Sequence, residues 1–242
     1  MSTAGGTPKR SNRPLVAVAF AITIAAAIGC GNMDPGSTVD PGCTAATGAM
    51  LPWKAGNTWT YQVNDEGVVS AKVTTIGNLE LVQGTGPNKD VMANKVVTRK
   101  SQMDQTVSWQ APLGDGVIRY REQSFSASSG ALELEEHWDP YKIHIDGAAE
   151  HRATAASWLQ IYQETKLPVG LTPETHEAHD RWTVLSACES VTVPAGTFTA
   201  IYLQKVSATG GSAKTYWYVP GVGKVKESGG QLEELVTYSL VP

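Results

Sequence analysis

The sequence is poor in cysteine, in phenylalanine and in charge. Three cysteines in 242 residues, with no C-x-x-C spacing, exclude zinc ribbons and thioredoxin-like redox motifs. Charged residues make up 17% and the formal net charge is −4. The basic surface that marks a nucleic-acid binder is missing, so no nucleic-acid partner is expected. No G-x-S-x-G, S-x-x-K, H-E-x-x-H, Walker A or G-x-G-x-x-G motif occurs, and no cofactor is implied. Long apolar runs are also lacking. The longest, residues 15–28, is 14 residues, short of the ~20 that a membrane-spanning helix needs.

What is present points to β structure. The chain is 41% hydrophobic, enough to support a core, and its aromatics are Trp (7) and Tyr (8) far more than Phe (3). Glycine (24) and proline (13) are frequent enough for many turns.

The first thirty residues read as an address. Residues 1–14 carry Lys9, Arg10 and Arg13 and no acid, and the run LVAVAFAITIAAAI follows. A charged segment before a short apolar one is the layout of an export signal. The run ends in Ala27-Ile28-Gly29-Cys30. Here the sequence resembles the bacterial lipoprotein signal, whose invariant cysteine takes a diacylglycerol after cleavage just before it. That resemblance implies a signal peptide over 1–29, lipidation at Cys30 and attachment to a membrane, with the outer membrane favoured because Gly31, not Asp, follows. An ordinary signal peptide or an uncleaved anchor is the plainer alternative. Removal of 1–29 leaves 16 basic residues against 23 acidic ones, a net of −7. Such a surface suits solubility in an envelope compartment and does not favour a grip on anionic lipid.

With Cys30 acylated, Cys43 and Cys188 remain as one candidate disulfide, in a compartment where disulfides persist. The long loop it would close allows roughly 5 kcal/mol in the chain-entropy model. The alternative is a buried Cys188 and a free thiol at Cys43. Residues 30–50 are rich in Gly, Pro, Ser, Thr and Asp and read as a flexible tether. The folded domain is then 51–242.

Within 51–242, period-two alternation dominates. Trp59, Tyr61 and Val63 share one face against Thr58, Thr60 and Gln62; Ile118 and Tyr120 oppose Arg119 and Arg121; Leu132, Leu134 and Trp138 oppose Glu133, Glu135 and His137. Further strands are expected over 68–76, 91–99, 106–110, 182–193, 198–206, 214–219, 222–226 and 232–240, with turns at Glu66-Gly67, Gly114-Asp115, Pro194-Ala195 and Pro220-Gly221 among others. Residues 148–166 break the pattern: Ala155, Trp158, Leu159 and Tyr162 have helical spacing, and a covering helix is the expectation there. The fold class is mainly β, one antiparallel curved sheet or partial barrel with that one helix. Tyr216 and Tyr218 oppose Trp217 and Val219, so both sheet faces are apolar, which fits either a sandwich or a cavity.

The phrases LPWKAGNTWTY (51–61), VTVPAGTF (191–198) and WYVPGVGKVK (217–226) resemble those of uncharacterised secreted bacterial β-proteins, which are similar to the half-barrels of the lipoprotein-carrier (LolA/LolB-like) superfamily. The resemblance implies architecture and brings no catalytic residue with it.

Candidate chemistry is sparse. In PETHEAHD (173–180), His176 and His179 would share a face on a helix, as a two-histidine metal site requires, and would part on a strand. The plainer reading is a solvated acidic loop. Gly84–Asp90, GTGPNKD, lacks the second Gly-Lys-Ser/Thr of a P-loop and reads as a hairpin loop. Glu133, Glu135 and Glu136 read as a solvent-facing sheet edge. Tryptophans that could stack on sugars are more commonly core. The expected function is a non-enzymatic, lipid-anchored envelope protein that binds an apolar or lipid-like ligand. The alternatives are a structural or protein-interaction module receiving a partner strand, and a metal- or carboxylate-dependent hydrolase.

Overall fold

The computed structural model describes residues 47–242 except 208, 209 and 211. The signal peptide, Cys30, most of the tether and Cys43 lie outside the described residues.

The described chain is built from twelve strands: β1 (Thr58–Asp65), β2 (Val68–Leu81), β3 (Met92–Arg99), β4 (Gln105–Leu113), β5 (Gly116–Phe125), β6 (Leu132–Ile145), β7 (Ser157–Pro168), β8 (Glu174–Val193), β9 (Gly196–Ser207), β10 (Lys214–Val219), β11 (Gly223–Ser228) and β12 (Leu232–Ser239). Each pairs antiparallel with its sequence neighbours, and β1 also pairs with β12, so the meander closes into a barrel. The expected open sheet or partial barrel is therefore corrected to a closed one. Closure satisfies the backbone groups that an open sheet leaves at its two edges.

Turn chemistry fixes the hairpins. Glu66 and Gly67 both have positive φ, 50° and 91°, the pattern of a type I′ turn. The Asn64 side chain accepts from the Gly67 amide at 2.9 Å. Alternation then carries Trp59, Tyr61 and Val63 inward, all below 5% exposed.

The covering helix over 148–166 is not there. Among the described residues that segment holds one 3-10 turn, Ala149–Arg152, and strand β7. In β7 the inward positions include Gln160 and Glu164, both buried, while Leu159 and Ile161 face out. Polar and apolar residues mix on both faces, with Trp158 and Tyr162 inward beside Gln160 and Glu164, so the period-two signal is lost and the apolar residues imitate helical spacing. Glu133, Glu135 and Glu136 form no edge either, because β6 lies between β5 and β7.

Two bulges decide what enters the lumen. Trp217 pairs with Lys226 and Tyr218 with Lys224, leaving Val225 as an extra residue. Trp109 pairs with Arg121 and Gln110 with Arg119, leaving Tyr120 extra. On a regular strand, positions i and i+3 point to opposite faces. The extra residue puts Lys224 with Glu227, and Arg119 with Glu122, on one face. It also separates Arg119 from Arg121, which simple alternation had kept together. Arg119 turns into the lumen, while Arg121 lies over the Trp109 ring, 4.3 Å from its centroid.

The loop 82–91 folds over that outer patch. Asn88 donates to the carbonyls of Trp138 and Pro140, both at 2.8 Å. The loop covers buried His137, which bonds Glu135 at 2.8 Å. A Cβ at Gly86 would overlap the His137 ring. We expect Gly86→Ala to cost about 1–3 kcal/mol by overpacking, measured by urea unfolding, with exposed Thr85→Ala within about 0.5 kcal/mol of wild type. Equal stability of the two variants would show that the loop does not press on His137.

Candidate functional site: a charged barrel lumen

Eight strands close around an interior that side chains just fill, and more strands leave room. Here twelve strands enclose a cavity of about 540 Å³. At one end the chain before β1 plugs the barrel. Ala49 accepts from the Gly221 amide and the Met50 amide donates to Asp115, both at 2.9 Å, and Met50 is 1% exposed. Leu51 follows into the lumen, where it sits beside Trp59, Ile76, Val96 and Ile143 as an apolar floor. Gly223, at φ 109°, makes room for it, since a Cβ there would collide with Leu51 and crowd the Trp59 indole. That indole N–H donates to the Val222 carbonyl at 2.7 Å.

Above the floor stands an aromatic wall. Trp182 and Tyr216 lie 5.7 Å apart between centroids, and Tyr216 and Tyr218 6.3 Å. Tyr61 closes the wall on the other side, donating its hydroxyl to the Lys224 carbonyl at 3.0 Å. At the far end exposed Lys100 donates to Gln231 at 3.1 Å, joining the β3–β4 and β11–β12 turns beside the mouth.

Charge fills the space between floor and mouth. Seven basic side chains line the cavity against three acidic ones, although the whole chain has more acids than bases. Lys224 is shared by Glu227 and Glu233, and Lys72 also bonds Glu233. Glu227 and Glu233 face each other across β11 and β12. Burial works against the charge on Lys224, yet the two carboxylates hold its pKa well above the usual lysine value. In turn Glu227 is brought down to about 2: burial opposes this, and Lys224 and Lys214 outweigh it. Lys72 is brought down to about 8 by burial and by Lys224, against the pull of Glu233.

A second centre lies around His144. Arg119 donates to its Nδ1 at 3.1 Å and to Glu122 at 3.0 Å. Burial first, then the charges of Arg119, Lys224, Lys205 and Lys72, push the imidazole well below its ordinary pKa. His144 is therefore neutral, with its proton on Nε2, the nitrogen that does not accept from Arg119. Lys205 reaches Asp180 at 3.3 Å, and burial, Lys142 and Arg119 bring it down to about 8.

Behind the wall, Glu164 receives the Trp138 indole N–H at 2.9 Å and Lys142 at 3.2 Å. Burial would raise its pKa, but Lys142, the indole and Lys166 together bring it down to about 2. Glu136 goes the other way, raised by burial and by Glu122 and Glu164.

The residues singled out from the sequence are not brought together. PETHEAHD is neither loop nor helix. Glu174–Asp180 belongs to β8, so His176 and His179 lie on opposite faces. His176 meets Glu164 at 3.3 Å and His179 meets Glu177 at 2.7 Å. No group of three potential metal ligands occurs among the described residues. Cys188 is half-buried on β8, where the register with β9 shifts between Ser186 and Glu189.

The lumen residues themselves were missed. Their signal was present as single charges ending an apolar strand face, as Lys205 ends the face of Ile201 and Leu203. It was too common a pattern to be selected.

No family model matches the chain, and no curated protein matches it. Among solved structures it is similar to a protein from Bacteroides fragilis described provisionally as exported, with a YmcC-like fold. Identity is 11%, covering 80% of this chain and all of that one, with a TM-score of 0.46. It is also similar to a protein from Parabacteroides distasonis described provisionally as a lipoprotein. Identity is again 11%, covering 79% of this chain and 99% of that one, with a TM-score of 0.40. Likeness of this degree speaks neither for the chemistry of the lumen nor for its ligand.

The Glu164 pairing has a definite pH signature. A carboxylate held below its unfolded pKa gives stability that is present above about 4.5 and lost as pH falls towards 2. The shift corresponds to roughly 3 kcal/mol. Glu164→Gln keeps an acceptor for the Trp138 indole but loses the charge. We expect its unfolding free energy to change less than wild type between pH 5 and pH 2.5, measured by urea titration. An unchanged acid limb would contradict the pairing.

Proposed function

We propose that this protein is a non-enzymatic, lipid-anchored component of the cell envelope, and that its barrel holds a small molecule. The observation that carries the reading is the lumen. It is about 540 Å³, within the ~300–1,000 Å³ of small-molecule sites, and lined by aromatic, apolar and charged side chains. Its charged groups are matched to one another, with Lys224 between two carboxylates and Arg119 between Glu122 and His144. Such an arrangement suits holding a ligand.

The anchor rests on Cys30 and the segment before it. Acyl chains hold a protein at a membrane by about 0.8 kcal/mol per buried methylene, and the tether would let the barrel stand clear of the surface, with the outer membrane as the favoured site. Pairing of Cys43 with Cys188 belongs to the same proposal. Cys188 lies half-buried on β8, and an exported protein is where such a bond would persist. Reception of a partner strand is disfavoured, because the closed barrel has no free strand edge among the described residues.

Labelled palmitate fed to expressing cells is expected to mark the wild-type chain and not Cys30→Ala. Label retained by the variant would overturn the anchor. Native mass spectrometry of the membrane-purified protein is expected to show a non-covalent adduct of small-molecule mass, and a spectrum of bare polypeptide alone would count against a resident ligand.

A further inference from the structure

We infer that the ligand of this lumen is a small amphipathic acid, its anionic head at Arg119, His144 and Lys205 and its apolar body on the floor by Leu51 and Trp59. The inference rests on the binding reading above and names the chemical class that the chamber selects.

Three observations converge on the head group. The first is the sign of the lining, seven bases to three acids inside a chain with an acidic balance. Three further inward carboxylates reduce that excess without removing it: Asp180 and Glu164 each meet a lining lysine at 3.2–3.3 Å, and Glu136 stands opposite Glu122.

The second is where the excess lies. Around Lys224 and Lys72 the carboxylates Glu227 and Glu233 give local balance. Around His144 the charges that act most strongly on the imidazole are those of Arg119, Lys224, Lys205 and Lys72, of which Lys224 and Lys72 have the carboxylates just named and Lys205 has Asp180. Of these, Arg119 meets one carboxylate, Glu122, and spends its other contacts on the neutral imidazole. An anion placed there would relieve repulsion among fixed cations that already exists without it, so little reorganisation is needed on binding.

The third is an unused donor. Because His144 Nδ1 accepts from Arg119, its Nε2 carries the proton, and that N–H has no hydrogen-bond partner among the described residues. Arginine and a neutral imidazole N–H offer a carboxylate or phosphate a charge-assisted hydrogen bond and a neutral one together.

The body of the ligand follows from the opposite end. Leu51, Trp59, Ile76, Val96 and Ile143 line the same cavity. No charged side chain lies in that set, and the plug of Met50 closes it from solvent. A fully polar anion would leave this floor facing water. A neutral apolar molecule would leave the excess of positive charge in the lining unmatched. An acid with an apolar tail meets both requirements.

The probes are octanoate, octyl phosphate, octanol and inorganic phosphate. The protein is the full chain purified from membranes and held in nanodiscs of neutral phosphatidylcholine, with empty nanodiscs as reference. Binding is read from tryptophan emission and by calorimetry. We expect octanoate or octyl phosphate to bind at least tenfold more tightly than octanol and than inorganic phosphate. The better of the two acids identifies carboxylate or phosphate as the head.

Arg119→Gln and Lys205→Gln, checked for folding by circular dichroism, are each expected to weaken acid binding at least tenfold and leave octanol unchanged. Lys226→Gln, on the outer face, should match wild type. Octanol equal to the acids, or acid binding indifferent to both lumen substitutions, would overturn the acid class and leave the binding chamber standing. Inorganic phosphate binding as tightly as octyl phosphate would overturn the amphipathic body. No binding of any probe would remove the chamber as a site, and the proposed function with it.

Discussion

Closure of β1 onto β12 is the constraint on which the rest of this structure depends. Thr58–Asn64 pairs along the length of Leu232–Ser239, with one irregularity after Thr60. If the first and last strands parted, the inner faces of all twelve would open to solvent. The charged side chains there would then gain nothing from one another, because ion pairs in water contribute about 0–1 kcal/mol. Inside the barrel the same groups are desolvated, and each depends on its partner. The weakest backbone seam adjoins the closure. β11 and β12 share only two register pairs, Lys226 with Glu234 and Glu227 with Glu233. Side chains reinforce it from both faces: Lys226 reaches Glu234 at 2.8 Å outside, and Lys224 reaches Glu233 at 2.8 Å inside.

A charged interior is costly, and stability alone does not account for it. Well-packed apolar residues would commonly do as well or better than buried ion pairs. Twelve strands also enclose more volume than these side chains fill. Both departures sit in the same place, and local rules are most often broken where a protein does its work. Apolar floor, aromatic wall and cationic centre lie in series between the Met50 plug and the mouth near Lys100. The two bulges are the local devices behind this arrangement, since without the extra residues at Tyr120 and Val225 each cation and its i+3 carboxylate would face opposite ways.

Most of the strand order was legible in the sequence, because runs of two-residue periodicity are separated by turn residues, with outward polar and inward apolar residues alternating cleanly in β1. The turn at Glu66-Gly67 was legible as local chemistry, though its type was not. β7 was not, and neither was the first half of β8. There the lumen side mixes Gln160, Glu164, His176 and Asp180 with Trp158, Tyr162 and Ala178, so the alternation of polarity that identifies a strand is lost. Closure was not legible because nothing local distinguishes a last strand that returns to the first from one that stops at an edge. The lumen site was hidden by the bulges. Arg119 and Arg121 look equivalent by alternation, and only the register shift sends one inward and the other onto Trp109.

The most direct measurement is amide hydrogen exchange at the closing seam, read by NMR. The account predicts that the hydrogen-bonded amides around Tyr61 and Leu235 are protected to the same degree as those around Val184 and Leu203 between β8 and β9. Exchange at β1 and β12 as fast as in the hairpin turns would mean an open sheet with two free edges, and the charged lumen would not exist.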